Sequence, residues 1–320
     1  MATFSDVIQK SWRRMEPVPP QAIKFTANYT AGSGTITLDT TANNFQAIVP
    51  GQLLCIGLNV LMVYGQPNAT SGVTSVIGGM QGSTDANATS GLPTSLAYLN
   101  PRFTPYDIST AVNDELLALS APNKGLGRVM EQDATYVPAF NGYDLGSNFD
   151  TLRSRVLEVS YQLPEPQRQN PLIRRGRYRV IRATNTSTNV FPSGNGIILY
   201  DQAFPGFPLR VTFIAPFSVL TNLTDDLQTV GGVPPSMQDI IDMGVELRLA
   251  PDKEIQRDAM DFQRDPRKST EVGATAMLHS GDALLIRYRN RIDDEASNIK
   301  RAWRNSDGLC SCLETRTPMV

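Results

Sequence analysis

The chain has 320 residues and a mass of 35.0 kDa, with 29 basic and 31 acidic side chains and a formal net charge of −2 at pH 7. That length suggests two or three packing units, and a charged fraction of 19% beside an apolar fraction of 41% describes a folded protein rather than a disordered tail. The near-neutral balance lacks the broad basic surface that non-specific duplex binding needs, and one histidine with three cysteines leaves little for most triads, zinc sites or proton shuttles.

The opening stretch, MATFSDVIQKSWRRM, carries charge throughout and lacks the apolar core of a signal peptide. It reads as a helix. Thr3 and Asp6 have the spacing of a capping box, in which each side chain satisfies an orphaned backbone N–H, and Phe4, Val7, Ile8, Trp12 and Met15 then recur at helical spacing. Pro17, Pro19 and Pro20 stop it.

From Pro20 to Asn100 only Lys24, Asp39 and Asp85 carry charge. Segments 22–30, 34–40, 47–64 and 73–77 are rich in Thr, Val, Ile and Tyr and are separated by Gly, Asn and Pro, which predicts a small antiparallel module. The apolar run 53–64 is too short to cross a bilayer, and no membrane partner is expected. A second capping pair, Thr104 and Asp107, follows with Pro105 at the first helical position and the stripe Ile108, Val112, Leu116 and Leu119. The loop 122–127, PNKGLG, lacks the Lys-Ser/Thr ending of a phosphate cradle.

A second β-module is predicted from about 133 to 220. There Leu157, Val159, Tyr161 and Leu163 alternate with other residues, and Tyr178 and Val180 alternate with Arg177 and Arg179. On a strand Arg175, Arg177 and Arg179 face one way, a ladder for an acidic partner chain or for phosphates, and equally an ordinary solvated face. Tyr136, Phe140, Asn141, Tyr143 and Asp144 combine aromatic and polar groups as glycan sites do. Asp225 and Asp226 are adjacent, so they do not form the facing carboxylates of a glycosidase and read as a helix cap or a subunit or partner contact.

A third helix starts at Ser236 and Asp239, with Ile240, Ile241, Val245 and Leu249 behind it. The charge-rich stretch 252–304 also reads as helix, its longest part marked by Leu278, Leu285, Ile292 and Ile299 at sevens with Tyr288 and Trp303 on the same face. His279 has no ligand partner at metal spacing, and Cys310 and Cys312 in the polar tail do not by themselves make a zinc site. No catalytic residue, metal or cofactor is expected.

The order of segments predicts an α+β fold, a helical bundle assembled from distant segments with two inserted antiparallel β-modules. Its parts are an N-terminal helix (1–19), a small β-module (20–103), a bundle helix and connection (104–132), a second β-module (133–222), bundle helices (223–305) and a tail (306–320).

Four stretches carry a likeness to a known family. They are GMQGST at 79–84 with NPRF at 100–103 and the helix after it; IILYD at 197–201 with LRV at 209–211 and APF at 215–217; 223–227 with VPPS at 233–236; and the C-terminal helix with Tyr288, Arg289 and Ile292. In these the chain resembles the head-to-tail adaptor (connector) proteins of tailed bacteriophages. The resemblance implies a structural virion protein at the head–tail interface, made in the host bacterial cytoplasm, forming a ring of about twelve identical subunits. Such a ring binds the portal protein on one side and a tail completion or tail tube (nozzle) protein on the other, and double-stranded DNA passes through it without sequence-specific binding. The amphipathic face ending at Trp303 beside Lys300, Arg301 and Arg304 is the expected portal-binding element. The charge-poor module is the expected subunit contact. A capsid decoration or tail-tip protein binding host glycans is the alternative.

Overall fold

The computed structural model describes residues 2–15, 20–42, 45–90, 96–121, 124, 126–137, 140, 142–163, 171–174, 176–184, 186, 190–200, 206–249 and 284–299. The chain divides into two compact units, Met1–Glu115 with Leu220–Leu227 and Gln238–Leu285, and Leu116–Val219 with Gln228–Met237 and Ile286–Val320.

The first unit begins with helix α1 (Phe4–Met15). Its capping box forms as the sequence requires, with the Thr3 N–H donating to Asp6 (2.9 Å) and the Asp6 N–H to the Thr3 hydroxyl (3.2 Å). Six antiparallel strands follow, β1 (Ala22–Lys24), β2 (Thr35–Thr37), β3 (Leu53–Ile56), β4 (Asn59–Val63), β5 (Val73–Ile77) and β6 (Leu96–Leu99), in the spatial order β1-β6-β3-β4-β5-β2. Their inward residues, Ile23, Ile36, Leu54, Leu61, Val63, Val76, Ala97 and Leu99, build one core with Phe25, Tyr29 and Phe45. Helix α2 (Pro105–Leu119) has the second capping pair at its start, the Asp107 N–H meeting the Thr104 hydroxyl at 3.0 Å.

The second unit holds β7 (Arg128–Ala134), β8 (Tyr136–Val137), β9 (Gly142–Asp144), β10 (Arg155–Tyr161), β11 (Tyr178–Ile181), β12 (Gly196–Leu199) and β13 (Leu209–Ala215). They make a three-stranded sheet, β10-β13-β7, and a four-stranded one, β11-β12-β9-β8. Val159, Val211 and Phe213 of the first share a core with Tyr143, Ile197 and Leu199 of the second. Phe149 meets Phe213 edge-on at 5.2 Å between ring centres. Two further helices, α3 (238–249) and α4 (284–299), complete the described residues.

The expected helical bundle with two small inserted β-modules is therefore wrong. Thirteen strands in three antiparallel sheets form the body of the described residues, beside four short helices. The reason is long-range pairing: Ala22 pairs with Tyr98, and Arg128 with Ala215. Local alternation marks a strand, whereas the partner that makes it part of a large sheet lies far along the chain. The expected C-terminal helix is described only over 284–299, where Tyr288, Ile292 and Ala296 are its buried stripe. Leu278, His279, Trp303, Cys310 and Cys312 lie outside the described residues. Ser236, read as a helix cap, donates its hydroxyl to Glu295 of α4 at 2.8 Å.

Candidate assembly surfaces

The outward face of the six-stranded sheet has two halves. Paired residues share a face, so the register β1-β6-β3-β4 sets Ala22, Tyr98, Cys55 and Val60 outward together. This half is covered. The Trp12 ring of α1 meets Tyr98 edge-on at 4.7 Å, and Cys55 and Val60 are fully buried. Burial, with the nearby Asp107 carboxylate, pushes the Cys55 thiol up to about 12, so it stays a thiol.

The other half is bare. Met62 pairs with Ile77, Tyr64 bonds to Ser75, and Thr37 pairs with Val73, so Met62, Tyr64, Val73, Ser75 and Ile77 form one outward strip. Tyr64 is 54% exposed, Ile77 46% and Val73 40%. From Thr40 to Thr84 the sequence has no Asp, Glu, Lys, Arg or His, and the three strands that carry this strip, β2, β4 and β5, have no charged residue.

A cleft of about 790 Å³ opens at the opposite end of β4 in the same unit. Its floor includes Tyr106, Ser109 and Thr110 of α2, and its walls are the β3–β4 turn (Ile56–Asn59), the loop through Thr84–Thr89, and Leu220–Leu223. Two polar clasps fix those walls. The Asn113 side chain both donates to the Leu220 carbonyl and accepts its N–H, each at 2.9 Å. Across the cleft Asp85 accepts from the Tyr29 hydroxyl (2.8 Å), the Gly32 N–H (2.8 Å) and the Asn59 amide (3.0 Å). Burial raises the Asp85 carboxyl, but those three donors outweigh it and hold the group below the usual carboxylate value. Among the described residues that line the cleft, Asp114 is the one that carries charge. A second hollow of about 610 Å³ shares Tyr106, Thr110 and Asp114 with it and is walled by Arg248 and by Gln81, whose backbone is left-handed (φ 55°).

Charge in this unit is gathered between helices. Asp242 of α3 is fully buried, with the Lys10 ammonium of α1 at 2.6 Å and Arg14 at 3.9 Å. Among the described residues no donor meets either carboxylate oxygen in hydrogen-bond geometry, so there the charge is balanced by the ion pairs with Lys10 and Arg14. Arg248 of α3 bonds buried Glu115 of α2 at 2.9 Å, and Gly244 leaves the room: a Cβ there would lie 2.3 Å from the Glu115 carboxyl carbon. Sequence reading missed this seam. Its only local sign was an Asp among the apolar positions of α3.

The residues singled out in the sequence are scattered. Arg177 and Arg179 are exposed at edge strand β11 and just before it, while Tyr178 and Val180 pair with Leu199 and Ile197 on the core side. Arg175 lies outside the described residues, as do Lys300, Arg301, Trp303 and Arg304. Arg182 is spent internally, donating to the carbonyls of Thr151 and Ser154 with its guanidinium over Phe149. Asp225 accepts from the N–H groups of Thr221 (2.9 Å) and Asn222 (2.8 Å), which hold its carboxyl below the usual range, and its carbonyl accepts the Phe4 N–H. Asp226 bridges to Thr3. The two acids thus lie where 220–227 meets the start of α1.

Of the aromatic group, Tyr143 is a core residue whose hydroxyl donates to the Phe207 carbonyl (3.0 Å); burial, with Tyr161 and Tyr136 nearby, pushes it up to about 12. Asp144 accepts from Ser193 at 2.7 Å. Phe140 is exposed and Asn141 lies outside the described residues. Among the described residues no group of three His, Cys, Asp or Glu side chains is placed to hold a metal, and no helix is long and apolar enough to cross a membrane. A scan of the chain against known protein families finds no match, and a search of curated proteins finds no relative.

Proposed function

We propose that this chain is a structural virion protein whose copies form a ring joining the portal to the tail and continuing the DNA exit channel. The observation that carries the reading is the uncharged strip on which Tyr64, Val73 and Ile77 stand exposed beside half-buried Met62, an apolar sheet face of the kind that subunit contacts cover. A near-neutral chain suits a channel wall that lets DNA slide, because phosphate binding grows with each lysine or arginine presented to the backbone. The family resemblance in 79–84, 100–103, 197–217 and 233–236 supplies the location. The helical architecture that the resemblance implied is no part of the proposal.

Gold-labelled antibody against the protein, applied to intact and partly disrupted virions of the source and viewed by electron microscopy, tests it. Label at the single vertex between head and tail is expected. Label spread over the capsid or at the tail tip overturns it.

A further inference from the structure

Resting on that ring reading, we infer that the contact between neighbouring copies is head-to-tail: the strip of Tyr64, Val73 and Ile77 on one copy seats in the cleft over α2 of the next. Three observations lead there. The strip is apolar and its residues are free of charge, and the cleft is concave and rimmed by hydroxyl and amide groups, with Asp114 the one charged group among the described residues lining it. A charged partner laid on the strip would bury charge with nothing to pair it, whereas the cleft of a second copy brings almost none. The two surfaces are also separate patches: Asn59 lines the cleft at one end of β4, whereas Tyr64 of the strip lies just past the other end, about 17 Å along the strand, with Met62 and Ile77 of the strip between them.

That separation decides the symmetry. A strip packed on its own copy would be isologous and stop at a dimer. A strip packed into a different patch leaves a strip free at one end of the pair and a cleft free at the other, so the same contact repeats until the rotation closes a ring. The walls of the cleft are held by Asn113 and Asp85 before any partner arrives, so docking needs little reordering.

The test uses the full chain and two variants at exposed positions, Val73→Arg on the strip and Thr110→Arg in the cleft, with oligomer mass read by analytical ultracentrifugation up to millimolar concentration. The wild-type chain is expected to assemble, and each variant to fall to its 35.0 kDa monomer with unchanged circular dichroism. Mixed in equal amounts, the two are expected to form a dimer and nothing larger, through the intact strip of one and the intact cleft of the other. A mixture that stays monomeric overturns the head-to-tail contact, and a Thr110→Arg variant that still dimerises by itself overturns it in favour of strip on strip. Variants that assemble like the wild type overturn the choice of surfaces and leave the ring reading to the virion labelling. A wild-type chain that is monomeric throughout overturns the contact as well. Tyr64→Arg and Thr84→Arg form a second pair if either first variant misfolds.

Discussion

The two units handle the outside of their sheets in opposite ways. In the first, the six-stranded sheet is nearly free of charge, and its charged groups sit between helices in the Lys10–Asp242 and Arg248–Glu115 pairs. In the second, charge lies on the strands themselves: Arg210 of β13 bonds Asp133 of β7 at 2.9 Å and approaches Glu131 at 3.5 Å, and Arg179 stands on edge strand β11. Charges on strands keep a face wet and discourage pairing with another chain. A neutral face has no such guard. The contrast teaches that the second unit's sheets carry their own charged side chains as protection, while in the first unit half of the sheet's outward face is buried, with Trp12 of α1 against Tyr98, and the rest stands exposed without charge on its strands.

Substitutions sharpen that comparison. Phe213→Ala removes a fully buried ring from the second unit's core and is expected to lower stability by about 3–5 kcal/mol; if the units unfold separately, calorimetry will shift only one transition. Lys10→Met in the first unit leaves the buried Asp242 with Arg14 at 3.9 Å as its remaining cation among the described residues, and a loss of about 3 kcal/mol in denaturant melts is expected. A loss no larger than that of an exposed pair would mean that water reaches the seam.

Asp85→Ala is expected to cost about 1–3 kcal/mol, because the buried Asn59 amide and the Tyr29 hydroxyl lose their acceptor. The wild-type group also gives a pH dependence. Its folded carboxyl sits below the usual 3.8, so its contribution is full above about pH 4 and is lost as the pH falls through the lowered folded value. The wild type should lose more stability than Asp85→Ala between pH 5 and acid, as thermal melts across that range will record.

Arg210→Ala breaks an exposed pair and is expected to cost less than about 1 kcal/mol, shrinking further in salt. Smallest of all, Tyr64→Thr should leave stability within about 0.5 kcal/mol of the wild type. If it melts several kcal/mol lower, Tyr64 belongs to the monomer's own packing and the contrast between the two halves of the sheet fails.

Short-range features were legible in the sequence. The Thr3/Asp6 and Thr104/Asp107 caps, the buried stripe Ile108, Val112 and Leu116, and the alternation of Tyr178 and Val180 with arginines all follow from groups a few residues apart. Within the candidate contact, the lack of charge from Thr40 to Thr84 was on the page from the start, but not the strip, since whether Tyr64 faces water or a helix depends on where α1 packs. The cleft was illegible for the same reason: Asn59, Thr110 and Leu220 meet only after folding.

What the amino-acid sequence determined by itself is therefore which residues start helices, which segments alternate, and that about one quarter of the molecule, Pro20 to Asn100, is almost without charge, because capping bonds, side-chain periodicity and composition are local. Only the tertiary structure decided that strands rather than helices form the body, that Tyr143 is core and Asp242 is sealed, and that one half of a neutral sheet is left bare. Each of those depends on partners brought together from distant parts of the chain, where long-range pairing and burial override what any short window can express.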